Sequence, residues 1–233
     1  MRVFSLVIAL SMAVPSAGST QSMSKGASLP GGEAIGRLMV AGRSMCTGAL
    51  VASDLVLTAA HCLYSPKTGR KVDPRKIEFQ AGLRSGKAKA TRTVKDTVQH
   101  PKYRHNVGNA QVGYDLALLK LQKPIPANIA KPVAISTGRS SEGLLGVVSY
   151  TIGNQNDPRM MFPCQVLARQ NETMVMNCKV NFGASGAPVL SIQKGEPPEL
   201  VSVISAKAAM GGRDVSVGTT LSVSTLQKLL SEG

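Results

Sequence analysis

The chain is short of several residue types. It has no tryptophan, 3% aromatic residues, four cysteines, three histidines and only 13 acidic residues among 233. With so few aromatics and no nucleic-acid-binding motif, it lacks the stacking set that specific nucleic-acid recognition uses. Beyond the N-terminus no stretch reaches the roughly 18 consecutive apolar residues of a membrane helix, so no internal helical span is expected. Glycine (23) and proline (13) are too few and too irregular for a collagen-like or low-complexity chain. The length removes the need for a structural metal or a dense disulfide scaffold, because a chain of this size buries about 70% of its unfolded surface on folding. A hydrophobic content of 43% and a mean hydropathy of +0.05 argue against disorder.

What is present begins with charge. Lys and Arg number 27, giving a formal net charge of +14. Residues 67–104 hold twelve of these cations against Asp73, Glu78 and Asp96, a surplus of nine. Such a stretch is either a solvated basic face or a surface for an anionic envelope or glycan, drawn by non-specific attraction. The N-terminus reads Met1-Arg2, an apolar run from Val3 to Val14, then Ser16, Ala17, Gly18 and Ser19. That is the pattern of an export signal over residues 1–19, cut near residues 17–20. Export to the periplasm or the exterior places the four cysteines in an oxidising compartment. They allow three pairings, of which the local one is expected: Cys46 with Cys62 and Cys164 with Cys178. Neither a metal nor a cofactor is expected.

Apolar, often β-branched runs recur between Gly, Pro, Asn and Asp. Examples are Arg37–Val40, Gly48–Val51, Leu55–Ala59, Ile77–Gln80, Leu116–Leu121, Val133–Ile135 and Gly146–Ile152. Later ones are Met174–Cys178, Pro188–Ile192, Leu200–Ser205 and Val215–Val223. This spacing predicts an all-β fold. A short helix is expected only at the end, over residues 224–233.

Three segments carry candidate chemistry. His61 ends the run Leu57-Thr58-Ala59-Ala60-His61-Cys62. Asp115 opens Asp115-Leu116-Ala117-Leu118-Leu119-Lys120-Leu121, where a carboxylate beside a buried strand needs a partner. Ser185 lies in Gly183-Ala184-Ser185-Gly186-Ala187-Pro188-Val189, where glycines let the backbone turn its N–H groups toward a ligand. A serine hydroxyl is too weak an acid to ionise near neutral pH and needs an imidazole to take its proton. The imidazole needs a carboxylate to hold its tautomer. The N–H groups of Gly183 and Ser185 can hold an oxyanion, each donor being worth about 3–4 kcal/mol in comparable sites.

These segments resemble the chymotrypsin-like (trypsin-like) serine proteases. Cys46-Thr47-Gly48-Ala49-Leu50-Val51 with the His61 segment is similar to that family's histidine block. His100-Pro101-Lys102-Tyr103 resembles the lead-in to its aspartate block, and the Ser185 segment its nucleophile block. The order His, Asp, Ser matches this fold and neither the subtilisin nor the α/β-hydrolase order. The resemblance covers roughly residues 35–223 and implies two six-stranded antiparallel β-barrels. Residues 35–122 would form the first and 133–223 the second, joined by 123–132 and preceded by a segment at 20–34. It implies His61 as general base, Asp115 as its orienting partner, Ser185 as nucleophile, and a protein or peptide substrate. The chain is expected to act as a monomer.

The sequence also departs from the pattern. Ala184 stands where zymogen-type members carry an aspartate for the released N-terminal amine, so that ion pair cannot form and trypsin-style activation is not expected. The second cysteine pair resembles bacterial relatives near the glutamyl endopeptidases. By the resemblance, Ile204, Ser205 and Lys207 line the substrate cleft and Lys179 falls at the base of its pocket, the other reading being that Lys179 points to solvent. A cation at the base disfavours cleavage after Lys or Arg and suits an acidic side chain. The rival reading is a non-catalytic chymotrypsin-fold binding protein of the cell envelope, using its basic surface. Such members usually lose a triad residue, and all three are present here.

Overall fold

The computed structural model describes residues 22–25, 31–105, 109–136 and 144–231. The export signal expected over residues 1–19 lies outside the described residues. Strands dominate, as the short alternating runs predict. In the first half β2 (Ile35–Val40), β3 (Ser44–Ala52), β4 (Leu55–Thr58), β5 (Ile77–Ala81), β6 (Ala90–Gln99) and β7 (Ala117–Leu121) close into a barrel. The order around it is β2-β3-β4-β7-β6-β5, and every pair is antiparallel. Alternation along each strand sends one set of side chains inward. Leu38, Leu50, Val56, Phe79 and Leu119 fill the barrel and are almost wholly buried.

The second half is likewise all-β and antiparallel. It is one eight-stranded antiparallel sheet that also takes in β1 (Ser22–Lys25) from the N-terminal segment. The others are β8 (Leu144–Thr151), β9 (Asn154–Cys164), β10 (Val166–Gln170), β11 (Thr173–Met176), β12 (Pro188–Ile192), β13 (Glu199–Met210) and β14 (Arg213–Thr220). Their order is β1-β9-β8-β12-β13-β14-β11-β10. The register Ser22↔Phe162 to Lys25↔Arg159 adds β1 to β9, and the chain runs from β9 into β10 through the single residue Gln165, which links the two ends of the set β8, β9–β10, β11, β12, β13 and β14. The core here is lined by Met161, Met174, Met176, Val189 and Ile204 around the Cys164–Cys178 disulfide.

Four strands escaped the sequence pattern. β6 carries Arg92, Lys95 and Asp96 among its buried Ala90, Val94 and Thr97. β9 contains Pro158 and Pro163, and β10 is largely exposed. β1 is only four residues long. Conversely, the run Val133–Ile135 forms no ladder. It is a tether: Val133 N–H donates to Leu50 O of the barrel (2.9 Å), and Leu200 N–H donates to Ala134 O (2.8 Å). The terminal helix α1 spans Val223–Ser231, where the Ser222 hydroxyl accepts from Thr225 N–H (3.1 Å) as its cap. Leu229 returns it to the first barrel's core. Among the described residues no helix is long and apolar enough to cross a membrane.

The halves meet at Thr47, which is fully buried on β3. Its hydroxyl donates to Gly183 O (2.9 Å) and accepts from Tyr150 N–H (3.0 Å). Its own N–H donates to Ser185 O (2.8 Å), and its carbonyl accepts from the Thr58 hydroxyl (2.8 Å). Tyr150, also fully buried, crosses back and donates to Leu83 O (3.0 Å). Thr47→Val keeps the shape but strands the Tyr150 N–H and the Gly183 carbonyl. Each stranded group costs about 1–3 kcal/mol, so urea unfolding should show a loss of about 2–4 kcal/mol. A loss under half a kcal/mol would mean that Thr47 does not hold the seam.

Candidate active site

His61 is presented by a single 3₁₀ turn, Ala60–Leu63, directly after β4. Ala59 and Ala60 are fully buried beneath it, and Cys62 is bonded to Cys46 on β3. The imidazole is therefore fixed on both sides of its backbone. Asp115 follows the 3₁₀ segment Asn109–Tyr114 and leads into β7, with 3% of its surface exposed. Its Oδ1 accepts from the His61 backbone N–H (2.8 Å), and its Oδ2 lies 2.7 Å from His61 Nδ1. A nitrogen facing a carboxylate at that distance carries the proton, so Nε2 is left as the basic position.

Ser205 supplies a third donor to Asp115, its hydroxyl meeting Oδ2. The register between β13 and β14 slips between Ile204 and Ala206, so Ser205 stands out of the ladder and is free to turn to Asp115. A buried carboxylate is costly unless hydrogen-bonded, and these three donors meet that need.

Ser185 sits on a tight turn. Ala184 N–H donates to Asn181 O (3.0 Å), Ala187 N–H to Ala184 O (2.9 Å) and Gly186 N–H to Ile204 O (2.8 Å). Gly183 has φ +98° and Gly186 φ +78°, conformations that L side chains rarely adopt. Gly186 is doubly constrained: a Cβ there would lie 2.0 Å from the Thr58 hydroxyl and 2.3 Å from Thr47 O. The turn thus lies against the residues that lead into His61. The N–H groups of Gly183 and Ser185, and the Ser185 hydroxyl, make no hydrogen bond among the described residues. Ala184 is buried in the apolar core.

Ser185 lines a cavity of about 410 Å³ with Ile204, Ser205, Lys207 and Asp214. Lys179 is not part of that lining. It is exposed, while its neighbour Val180 is buried and lines the cavity instead. Cys178 and Val180 on either side of it are both buried, which leaves Lys179 facing out. The sequence expectation of a basic pocket floor at Lys179 is corrected accordingly.

Burial works to lower the His61 pKa, but the hydrogen bond that His61 donates to Asp115 and the negative charge there outweigh it, and the net shift is upward from 6.5. His105, stacked on Tyr64 at 4.0 Å, shifts the other way, through burial and then the His61 charge. Cys46, His61 and Cys62 bring ligand-type atoms within 4.8 Å of one another. The two sulfurs are already joined, so they offer no thiolate to a metal. The residues that sequence reasoning missed are Thr47, Thr58 and Tyr150. One signal pointed to them: hydroxyls at 47 and 58 inside strands that are otherwise apolar.

Comparison with known proteins agrees with this geometry. The Trypsin family model matches residues 25–229. The chain is 36% identical over 83 residues to chymotrypsin-like elastase family member 1 of Macaca fascicularis, covering 36% of this chain and 29% of that one. It is 29% identical over 164 residues to serine protease 23 of Homo sapiens, covering 62% and 42%. The matched region spans less than half the length of these curated relatives. A solved Glu endopeptidase in complex with MPD superposes with TM-score 0.74 at 17% identity, covering 91% of this chain and 97% of that one. The protease Anisep from Arthrobacter nicotinovorans superposes at 0.65 with 18% identity, covering 84% and 93%. With a family model matched along nearly its whole length and the fold shared with both solved proteases, the chain belongs to the trypsin family of chymotrypsin-like serine proteases.

Proposed function

We propose that the protein is an exported serine endopeptidase that works through an acyl-enzyme. The observation that carries this reading is the 2.7 Å contact of His61 Nδ1 with the buried, triply bonded Asp115, on the same seam that holds the Ser185 turn. Ser185 Oγ attacks the scissile carbonyl while His61 Nε2 takes its proton. The carbonyl oxygen gains negative charge between the N–H groups of Gly183 and Ser185. Collapse expels the amine, which receives that proton from His61. Water then repeats the sequence on the ester, releasing the acid and restoring Ser185. Asp115 holds the imidazole's tautomer and stabilises its charged form, which accords with the upward shift at His61.

The leader pattern at residues 1–19 and the two disulfides support a periplasmic or secreted location. Lys67, Arg70, Lys71, Lys76, Lys87 and Lys89 are exposed on the loops of the first barrel. They support weak attraction to an anionic envelope or glycan.

A fluorophosphonate should label the folded protein at Ser185, and Ser185→Ala should abolish labelling. Labelling that survives the substitution, or its absence from folded wild type, would reject the reading. The reaction needs neutral His61, so kcat/KM should rise with pH through a midpoint above 6.5. Asp115→Asn removes both effects that raise the His61 pKa. The acid limb should then move to lower pH, and the rate should fall by on the order of 10⁴-fold. An unmoved limb would show that Asp115 does not set the basicity of His61. The raised pKa also means that this contact stabilises the fold most at low pH, and that the benefit fades as pH rises through the folded value.

A further inference from the structure

The cavity beside Ser185 contains a charge arrangement that the endopeptidase reading leaves unused, and the inference below rests on that reading. Strands β13 and β14 pair with Lys207 opposite Ser216 and Ala209 opposite Asp214. Directly opposed residues in an antiparallel pair share a face. Lys207, Asp214 and Ser216 therefore stand on one side of the ribbon, with Asp214 toward its turn and Ser216 toward the core.

Lys207 and Asp214 are the charged residues of the cavity lining, and each side chain is 51% exposed. Their contact is 3.9 Å, well beyond the roughly 2.7–2.9 Å of a charge-assisted hydrogen bond. An exposed pair at that separation is weakly held and readily exchanged. Ser216 is the opposite case. It is fully buried, and its hydroxyl has no hydrogen-bond partner among the described residues. An unpaired buried hydroxyl costs free energy, so it is unusual without a role.

We propose that Lys207 reads an acidic side chain on the acyl side of the scissile bond, and that Asp214 is a resident carboxylate which the substrate's own carboxylate displaces. The lysine stem is flexible and its ammonium has three donors. It can leave Asp214 at the rim and turn inward, where the Ser216 hydroxyl, on the same face but behind the cavity lining, can accept from the ammonium and position it. A substrate lysine or arginine would meet Lys207 as a like charge. The protein's +14 charge further favours the arrival of acidic segments. The charge expected of Lys179 from sequence is thus supplied by Lys207. Asp214 acts on substrate through Lys207 and is a positioning residue.

The test uses the full chain and peptides that differ only in the residue on the acyl side: Glu, Gln, Asp, Ala, Leu and Lys. Wild type should cleave after Glu at least tenfold better in kcat/KM than after its isostere Gln, and worst after Lys. Raised ionic strength should shrink the Glu:Gln ratio. Lys207→Met should lose the Glu:Gln discrimination and gain cleavage after Leu. Asp214→Asn should lower KM for the Glu peptide several-fold with little change in kcat, whereas a merely structural contact would not split the two. Ser216→Ala should raise that KM a few-fold. Fluorophosphonate reports whether Ser185 is reactive in each variant. A Glu:Gln ratio near one in labelled wild type overturns the inference while leaving the endopeptidase reading in place. So does an acidic preference that survives in labelled Lys207→Met. Wild type that is not labelled at all overturns both.

Discussion

The hydrogen-bonded seam at Thr47 is the constraint on which the rest of the site depends. A trypsin-family site is divided between two bodies of chain. Here His61 and Asp115 belong to the barrel, and Ser185 belongs to the second sheet. One small side chain on β3 binds Gly183 and Tyr150, while its backbone binds Ser185 and Thr58. The Ser185 turn is thus tied to the strand that also carries Cys46, whose disulfide partner Cys62 adjoins His61. Gly186 completes the approach, because any side chain there would occupy the place of the Thr58 hydroxyl.

Asp115 extends the same logic into electrostatics. Its charge is kept in a buried place by three donors, two from His61 and one from Ser205 across the halves. The slip in register that frees Ser205 belongs to β13, and β13 goes on to line the cavity with Lys207. A single strand therefore supplies a support for the buried Asp115 carboxylate and a wall of the cavity beside Ser185. Changes to that wall act a short distance from the chemistry, which is why the proposed specificity test reads KM and kcat separately.

Much of the site was legible in sequence because each piece is local. His61, Asp115 and Ser185 lie in contiguous strings whose neighbours are small, apolar or glycine for reasons visible residue by residue. The missed strands have the opposite character. β6 alternates, but with charged residues on its outer face, and β9 is polar at one end and broken by prolines. Their pairing comes from the partners they find rather than from their own pattern. Val133–Ile135 shows the reverse, an apolar run that became a tether because the strands nearby were already paired.

By itself the sequence determined the all-β class, the two disulfide pairs, the short terminal helix and the ordered His, Asp and Ser segments. These follow from spacing, from cysteine proximity and from local turn chemistry. Only the tertiary structure decided that the second half is an eight-stranded sheet edged by β1, that Thr47 joins the halves, and that Lys207 rather than Lys179 faces the cavity. Those outcomes depend on which edges meet and on which face a side chain takes. A one-residue change of alternation or register reverses the face, and nothing within a single strand records its partner's register.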